Sequence, residues 1–249
     1  MTQLGCMADL WLFSHCTPAE KMRIQTMTKK LTYKKGEMLF QEGDPATTVF
    51  LVTEGMVKLF KISEEGKEII LGFLTPHDLF GEEVLFAEST RSLSAVAMDT
   101  ARLCVCTKSD FEALIRQEPA VAMKVIQTLG EKLTQATAQV VDLALHDVKH
   151  RVMHVLGRLA NAYGTETPRG LSLDFRLTHE DIGALVGASR VMITHVLQKL
   201  RQTGYIATDG RSRFIIRTPL LQGTHMGVEG TTPATYSLCP CFTDRQTVS

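Results

Sequence analysis

Residues 177–206 read LTHEDIGALVGASRVMITHVLQKLRQTGYI, and the fold of the whole chain follows from how this stretch is read. Apolar Ile182, Leu185 and Val186, then Ile193, Val196, Leu197 and Leu200, recur at helical spacing. The pattern predicts two helices, 180–186 and 190–201, meeting at a short turn that contains glycine. Thr178 is a good N-cap for the first, and Asp181 three residues on can complete something close to a capping box. Gly187 supplies the left-handed conformation that ends that helix, and Ser189 caps the second as Thr178 caps the first. Arg190, Val191, Thr194 and His195 then fall on the solvent face of the second helix, near the positive end of its dipole. A helix seated in a DNA major groove carries its reading residues there.

An ordinary amphipathic pair inside a helical core would carry no special charge, yet charge gathers here. Residues 147–222 hold eleven Lys and Arg against six Asp and Glu, while the whole chain balances at 27 against 27. That local excess suits a phosphate backbone, with Thr178, Ser189 and Lys199 as further candidate contacts. Past the helix pair, residues 204–207 and 213–217 flank the turn Asp209-Gly210-Arg211, which predicts a hairpin, the wing of a winged helix. Arg211 and Arg213 on it either touch phosphates or are solvated loop charge.

Upstream, residues 8–30 suggest one or two short helices, with Thr17-Pro18-Ala19-Glu20 as a strong start. From Leu31 to Ser109 the period becomes alternating, with turn signals at Lys35-Gly36, Glu42-Gly43-Asp44, Glu54-Gly55, Glu65-Gly66 and Pro76-His77-Asp78. Strands at that spacing imply a small antiparallel sandwich or jelly roll. Within it, Gly81 lets backbone amides approach a ligand, Glu82 suits a ribose hydroxyl, and Arg91 with Ser92 can meet a phosphate. Glu82 and Arg91 could equally form a surface salt bridge.

A brief helix over 109–119 precedes a long one from about Ala120 to Leu145, whose apolar Val125, Leu129, Leu133, Ala136, Val140 and Leu143 step by four and three. That seam suits a parallel dimer, or packing onto the sandwich. Off the seam lie Gln127, Glu131, Lys132, Gln135 and Gln139. His146-Asp147-Val148 reads as a hinge, followed by a helix over 148–163, a turn at Pro168-Arg169-Gly170 and a strand over 171–175. The expected organisation is α+β: a sensing sandwich (1–119), a dimerisation helix (120–146), a winged helix-turn-helix (147–222) and a disordered tail (223–249).

The N-terminus has neither a basic n-region nor a clean apolar h-region, and no run of eighteen apolar residues occurs, so a cytoplasmic protein without membrane contact is expected. Six cysteines, at 6, 16, 104, 106, 239 and 241, contain no CxxC pair. Cys104 and Cys106 share one face of a strand, where apolar packing is the simplest role. No nucleophile and base pair stands out, so an enzyme is not expected.

The order of sandwich, long helix and winged helix, with FGEEVLF (80–86), TRSLSAVA (90–97), LHDVKHRVMHVL (145–156) and the opening stretch, resembles the cyclic-AMP receptor and fumarate-nitrate regulator superfamily of bacterial transcription factors over about residues 10–220. The resemblance implies a homodimer on a palindromic double-stranded DNA operator, working with RNA polymerase. It assigns base contact to Arg190, Val191 and Thr194, with His195 where relatives usually carry Arg. Ser-Arg-Val resembles the cyanobacterial nitrogen regulators more than the cyclic-AMP receptor, which has Glu where Val191 stands. Arg190 suits guanine and Val191 a thymine methyl, so a half-site with G followed by T or A is expected.

Gly81, Glu82, Arg91 and Ser92 match the superfamily's nucleotide-phosphate cassette, and Thr137 lies where the receptor contacts adenine, which implies a cyclic nucleotide. An iron–sulfur cluster on Cys6, Cys16 and Cys104 matches the fumarate-nitrate pattern only in part, and haem through a histidine or cysteine stays open. A reading of another class is a cyclic-nucleotide-binding module that regulates a partner protein.

Overall fold

The computed structural model describes residues 27–85, 90–173, 175–209 and 214–217, together with Thr17, Met22, Ile24 and Thr26. Most of the expected helices in 8–30, Cys6, Cys16, Arg211, Arg213 and the tail over 223–249 lie outside the described residues. The chain divides into two compact units: residues up to Arg151 together with Thr178–Thr194, and Val152–Leu177 together with the residues from His195 on.

The first unit opens with eight antiparallel strands: β1 (Thr28–Tyr33), β2 (Met38–Phe40), β3 (Thr48–Glu54), β4 (Val57–Ile62), β5 (Glu68–Leu74), β6 (Leu79–Phe80), β7 (Ser94–Ala97) and β8 (Ala101–Thr107). They form two sheets of four, ordered β1-β8-β3-β6 and β2-β7-β4-β5. The sandwich expected from the alternating pattern is therefore present.

Strand periodicity sorts the side chains into two layers. On β3, Phe50 and Val52 join Leu103 and Val105 of β8 in a cluster shared with Phe40, Val57 and Phe80 of neighbouring strands. The intervening Val49, Leu51, Cys104 and Cys106 face the other way, onto Phe111, Leu114, Val121 and Val125 of two helices. β3 is thus buried on both faces over its four apolar residues, Val49 to Val52, while its polar ends, Thr48, Thr53 and Glu54, are partly exposed. Each such Phe or Leu contributes about 1.5–3 kcal/mol by leaving water.

The helices are α1 (Lys108–Gln117) and α2 (Pro119–Leu145). Thr107 caps α1 by accepting from the Asp110 amide. Pro119 opens α2 instead of simply stopping α1, since a first-turn amide needs no partner. Val121 and Val125 are buried against the sandwich, whereas Leu133 is 70% exposed and Val140, Leu143 and Leu145 are exposed with it. The first part of the stripe therefore packs onto the sandwich, and the rest is exposed within the single chain. No described helix is long and apolar enough to cross a membrane.

After α2, Asp147 accepts from the His150 amide and caps α3 (Val148–Tyr163). The first unit also contains α4 (His179–Val186) and the first turns of α5 (Arg190–Gln202).

The second unit has a sheet ordered β11-β12-β10-β9, built from β9 (Gly164–Thr167), β10 (Gly170–Leu173), β11 (Ile206–Thr208) and β12 (Phe214–Ile216). Its core comes from Val152, Leu156 and Ala160 on one stripe of α3, Leu197 and Leu200 of α5, and Phe214 and Ile216 of the hairpin. The hairpin and β10 match expectation. β9 reads Gly-Thr-Glu-Thr and has no apolar alternation by which to recognise it.

Candidate nucleic-acid interface and effector site

The α4–α5 corner is fixed by local chemistry before any packing. Thr178 accepts from the Asp181 amide, and the Asp181 carboxylate takes both the Thr178 amide (2.8 Å) and its hydroxyl (2.7 Å), a complete capping box. The Thr178 hydroxyl hydrogen is thus already in use. Gly187 is left-handed (φ 66°, ψ 38°), and the Ala188 amide reaches back to the Gly183 carbonyl at 3.0 Å. A Cβ on Gly183 would lie 2.7 Å from the Ala188 carbonyl oxygen, so only glycine permits so tight a turn. Ser189 then accepts from the Met192 amide at 3.3 Å, as an N-cap of α5 does.

Ile193, Leu197 and Leu200 are buried, while Ser189, Arg190, Val191, Met192, Thr194, His195 and Lys199 are exposed. Two side-chain links cross from α4 to α5. Glu180 pairs with Arg190 Nη1 at 3.0 Å, and His179 Nδ1 lies 2.9 Å from Thr194 Oγ1. The Thr194 hydroxyl donates to the Arg190 carbonyl, so it accepts from His179 and Nδ1 carries the hydrogen. Glu180 and His179 are not among the candidate residues of the sequence. Their spacings of ten and fifteen residues have meaning only once the turn is built.

In the sandwich, Gly81 adopts φ 84° before a short 3-10 helix, Glu82–Leu85. Arg91 does not pair with Glu82. Its Nη1 meets Glu83 and the Gly81 carbonyl, each at 3.3 Å, and its Nη2 meets the Thr48 carbonyl and hydroxyl. The guanidinium is 2% exposed and lies 4.3 Å from the Phe40 ring centre. Burial lowers its pKa, opposed chiefly by Glu83. Ser92 donates to the other Glu83 oxygen at 3.1 Å.

The Glu83 carboxylate therefore bridges the two donors that the sequence assigned to a phosphate. Glu82 is held by Lys132 of α2 at 2.6 Å, and Lys132 also donates to the Leu79 carbonyl. Thr137 donates to the Leu133 carbonyl of its own helix. Cys104 and Cys106 are buried, unbridged thiols in the apolar layer, and burial pushes the Cys106 thiol up to about 12.

Residues 30–118 match the cyclic nucleotide-binding domain, and residues 150–220 the Crp-like helix-turn-helix domain. The cyclic AMP receptor protein of Thermus thermophilus is 32% identical over 195 residues, which span 78% of this chain and 87% of that protein. The chain belongs to the cyclic-AMP receptor and fumarate-nitrate regulator superfamily.

As a member of this superfamily it is a DNA-binding transcription regulator with an N-terminal effector-binding domain. The global nitrogen regulator of Synechococcus elongatus is 30% identical over 190 residues, 76% of this chain and 85% of that one. A solved CRP/FNR-family transcriptional regulator from Thermus thermophilus superposes with TM-score 0.65 at 27% identity, covering 78% of this chain and 95% of that structure.

Proposed function

We propose that this superfamily regulator is a cytoplasmic homodimer that reads a palindromic operator with one α5 from each protomer, and that a small anionic effector in the sandwich sets its affinity. The observation that carries the reading is the exposed cluster Arg190, Val191, Thr194 and His195 on a helix whose opposite face is buried. Arg190 offers forked donors to O6 and N7 of guanine, Val191 meets a thymine methyl, and Thr194 and His195 contact the neighbouring step. Ser189, Lys199 and the first turn of α4 at Thr178 meet phosphates, with Arg211 and Arg213 of the wing. The exposed seam from Leu129 to Leu145 pairs the protomers, and the bound dimer contacts RNA polymerase.

The sandwich donors fit a singly charged anion, because Arg91 and Ser92 together already hold the Glu83 carboxylate. A cyclic nucleotide would take those two donors with its phosphate and Glu82 with its ribose, and would reach Thr137 on α2. It must first displace Glu83 and Lys132.

Selection from a random duplex pool, followed by binding at several salt concentrations, tests the DNA reading. A palindrome should be enriched, its affinity should fall steeply with salt, and Arg190→Ala should erase the preference. No enriched palindrome, together with an unchanged Arg190→Ala variant, overturns the reading. The absorption spectrum of protein purified without oxygen tests the sensor: a colourless protein supports an organic anion, and iron–sulfur or haem bands refute it.

A further inference from the structure

Two of the four polar side chains at the start of α4, Thr178 and Asp181, serve the helix itself. Asp181 is consumed by the capping box, which fixes the backbone of His179 and Glu180. Glu180 has no part in that box and projects from the same turn, two-thirds exposed, onto Arg190. An acid on the face that must approach phosphates is unfavourable by charge alone. Its partner explains its position.

We propose that Glu180 is a specificity-determining residue of the operator-reading surface, holding Arg190 by Nη1 so that the Nε–Nη2 edge meets guanine, while its negative charge weakens binding to DNA that lacks that base. The inference rests on Arg190 being the base reader proposed above. A guanidinium presents two forked edges, and engaging Nη1 leaves the edge made by Nε and Nη2 for O6 and N7.

An untethered arginine loses several rotors on binding and can turn to any nearby phosphate. A tethered one is already oriented, so its discrimination among bases rises. The second link, His179 to Thr194, supports the same view. Thr194 is bonded at once to His179 and to the Arg190 carbonyl, so the first turn of α4 holds both the backbone and the guanidinium of the reader. Glu180 acts through Arg190 and is a positioning residue on this account. Without guanine, the carboxylate faces the DNA with its cation poorly placed, and repulsion from the phosphates lowers affinity.

The test uses the full-length protein and three duplexes: one selected by the wild type from a random pool, the same duplex with the guanine read by Arg190 changed to adenine with its complement, and an unrelated sequence. Fluorescence anisotropy at one salt concentration gives affinities for wild type, Glu180→Ala, Glu180→Gln, Arg190→Ala and the Glu180→Ala/Arg190→Ala double variant.

Glu180→Ala should lower the guanine-to-adenine preference by roughly tenfold, with binding to the unrelated duplex equal to or tighter than wild type. Glu180→Gln, which keeps an acceptor, should be intermediate. In the Arg190→Ala background, removing Glu180 should leave the preference unchanged. If Glu180→Ala and Glu180→Gln scale all three duplexes by one factor while Arg190→Ala erases the preference, Glu180 is only a surface acid and the proposal fails. If Arg190→Ala leaves the preference intact, the base-reading role of Arg190 falls first, and this inference with it.

Discussion

Lys132 Nζ lies 2.6 Å from Glu82 Oε1, so the long helix α2 is tied by one side chain to the turn that Gly81 makes in the sandwich. Both partners are partly buried, and the lysine also holds the Leu79 carbonyl. A ligand that takes Oε1 of Glu82 competes with Lys132, and by linkage the arrangement of α2 then alters affinity for that ligand.

Lys132→Ala should therefore imitate the effector. Its operator affinity without added ligand should rise by about fivefold or more, within the usual range of allosteric coupling. Thermal stability should change little, because a partly exposed pair contributes only about 0.2–1 kcal/mol. Anisotropy with the selected operator and a thermal melt measure the two effects; unchanged affinity would show that the tie carries no signal.

Glu83→Gln should strengthen binding of an anionic ligand by roughly tenfold, about 1.4 kcal/mol, because a competing carboxylate leaves Arg91 and Ser92. Calorimetry with cyclic AMP and with a monocarboxylate as probes compares the two anions. Arg91→Ala should abolish binding and also destabilise the sandwich, since it removes a buried cation bonded to Gly81, Glu83 and Thr48. An unaltered Glu83→Gln affinity for both probes argues that the anion site lies elsewhere.

Leu133→Asp should leave the protomer folded and break the dimer. The residue is 70% exposed within one chain and belongs to neither core cluster of the sandwich. In the seam it would bury about 1.5–3 kcal/mol of apolar surface per copy, and the aspartates would repel. Sedimentation velocity should show a monomer with unchanged helix content, and operator binding should fall towards that of a half-site. A dimer surviving the substitution would remove α2 from the interface.

Cys106 gives a pH signature. Its thiol is raised from an ordinary value of 9.0 to about 12 by burial and by Asp110. Below pH 9 both folded and unfolded chains hold the proton, and the stabilisation is complete. Above it the unfolded thiol ionises first, so stability should fall as pH rises from 9 towards 12, by at most about 1.4 kcal/mol per pH unit. Denaturant melts of wild type and Cys106→Ala across that range should diverge in this sense. A thiol reagent at about pH 8, below the ordinary thiol range, should find Cys106 only after unfolding; rapid labelling of Cys106 itself in the native protein, located by peptide mapping, contradicts its burial.

The helix-turn-helix was legible almost to the residue because its signals are local: a Thr-x-x-Asp cap, a glycine in the turn and two apolar stripes. The strands of the sandwich were legible for the same reason, and so was the helix break at His146-Asp147, although the two compact units divide at Arg151. Ion-pair choice was not. Glu82 and Glu83 are chemically identical neighbours, and only closure of the sheets brings Arg91 to one and Lys132, fifty residues on, to the other. Glu180 escaped notice because its partner lies across a turn whose tightness depends on Gly183 having no side chain. β9 left no trace because its residues carry no apolar alternation.

The exposed seam of α2 has a consequence for dosage. A lone protomer leaves Leu133, Val140, Leu143 and Leu145 in water, and if this seam pairs the protomers as proposed, at low abundance the number of functional readers would follow the square of the protomer concentration. Halving synthesis would then cut operator-competent dimers about fourfold. On that proposal, gene copy number and protein turnover, as well as effector, would set the threshold at which the regulated promoters respond.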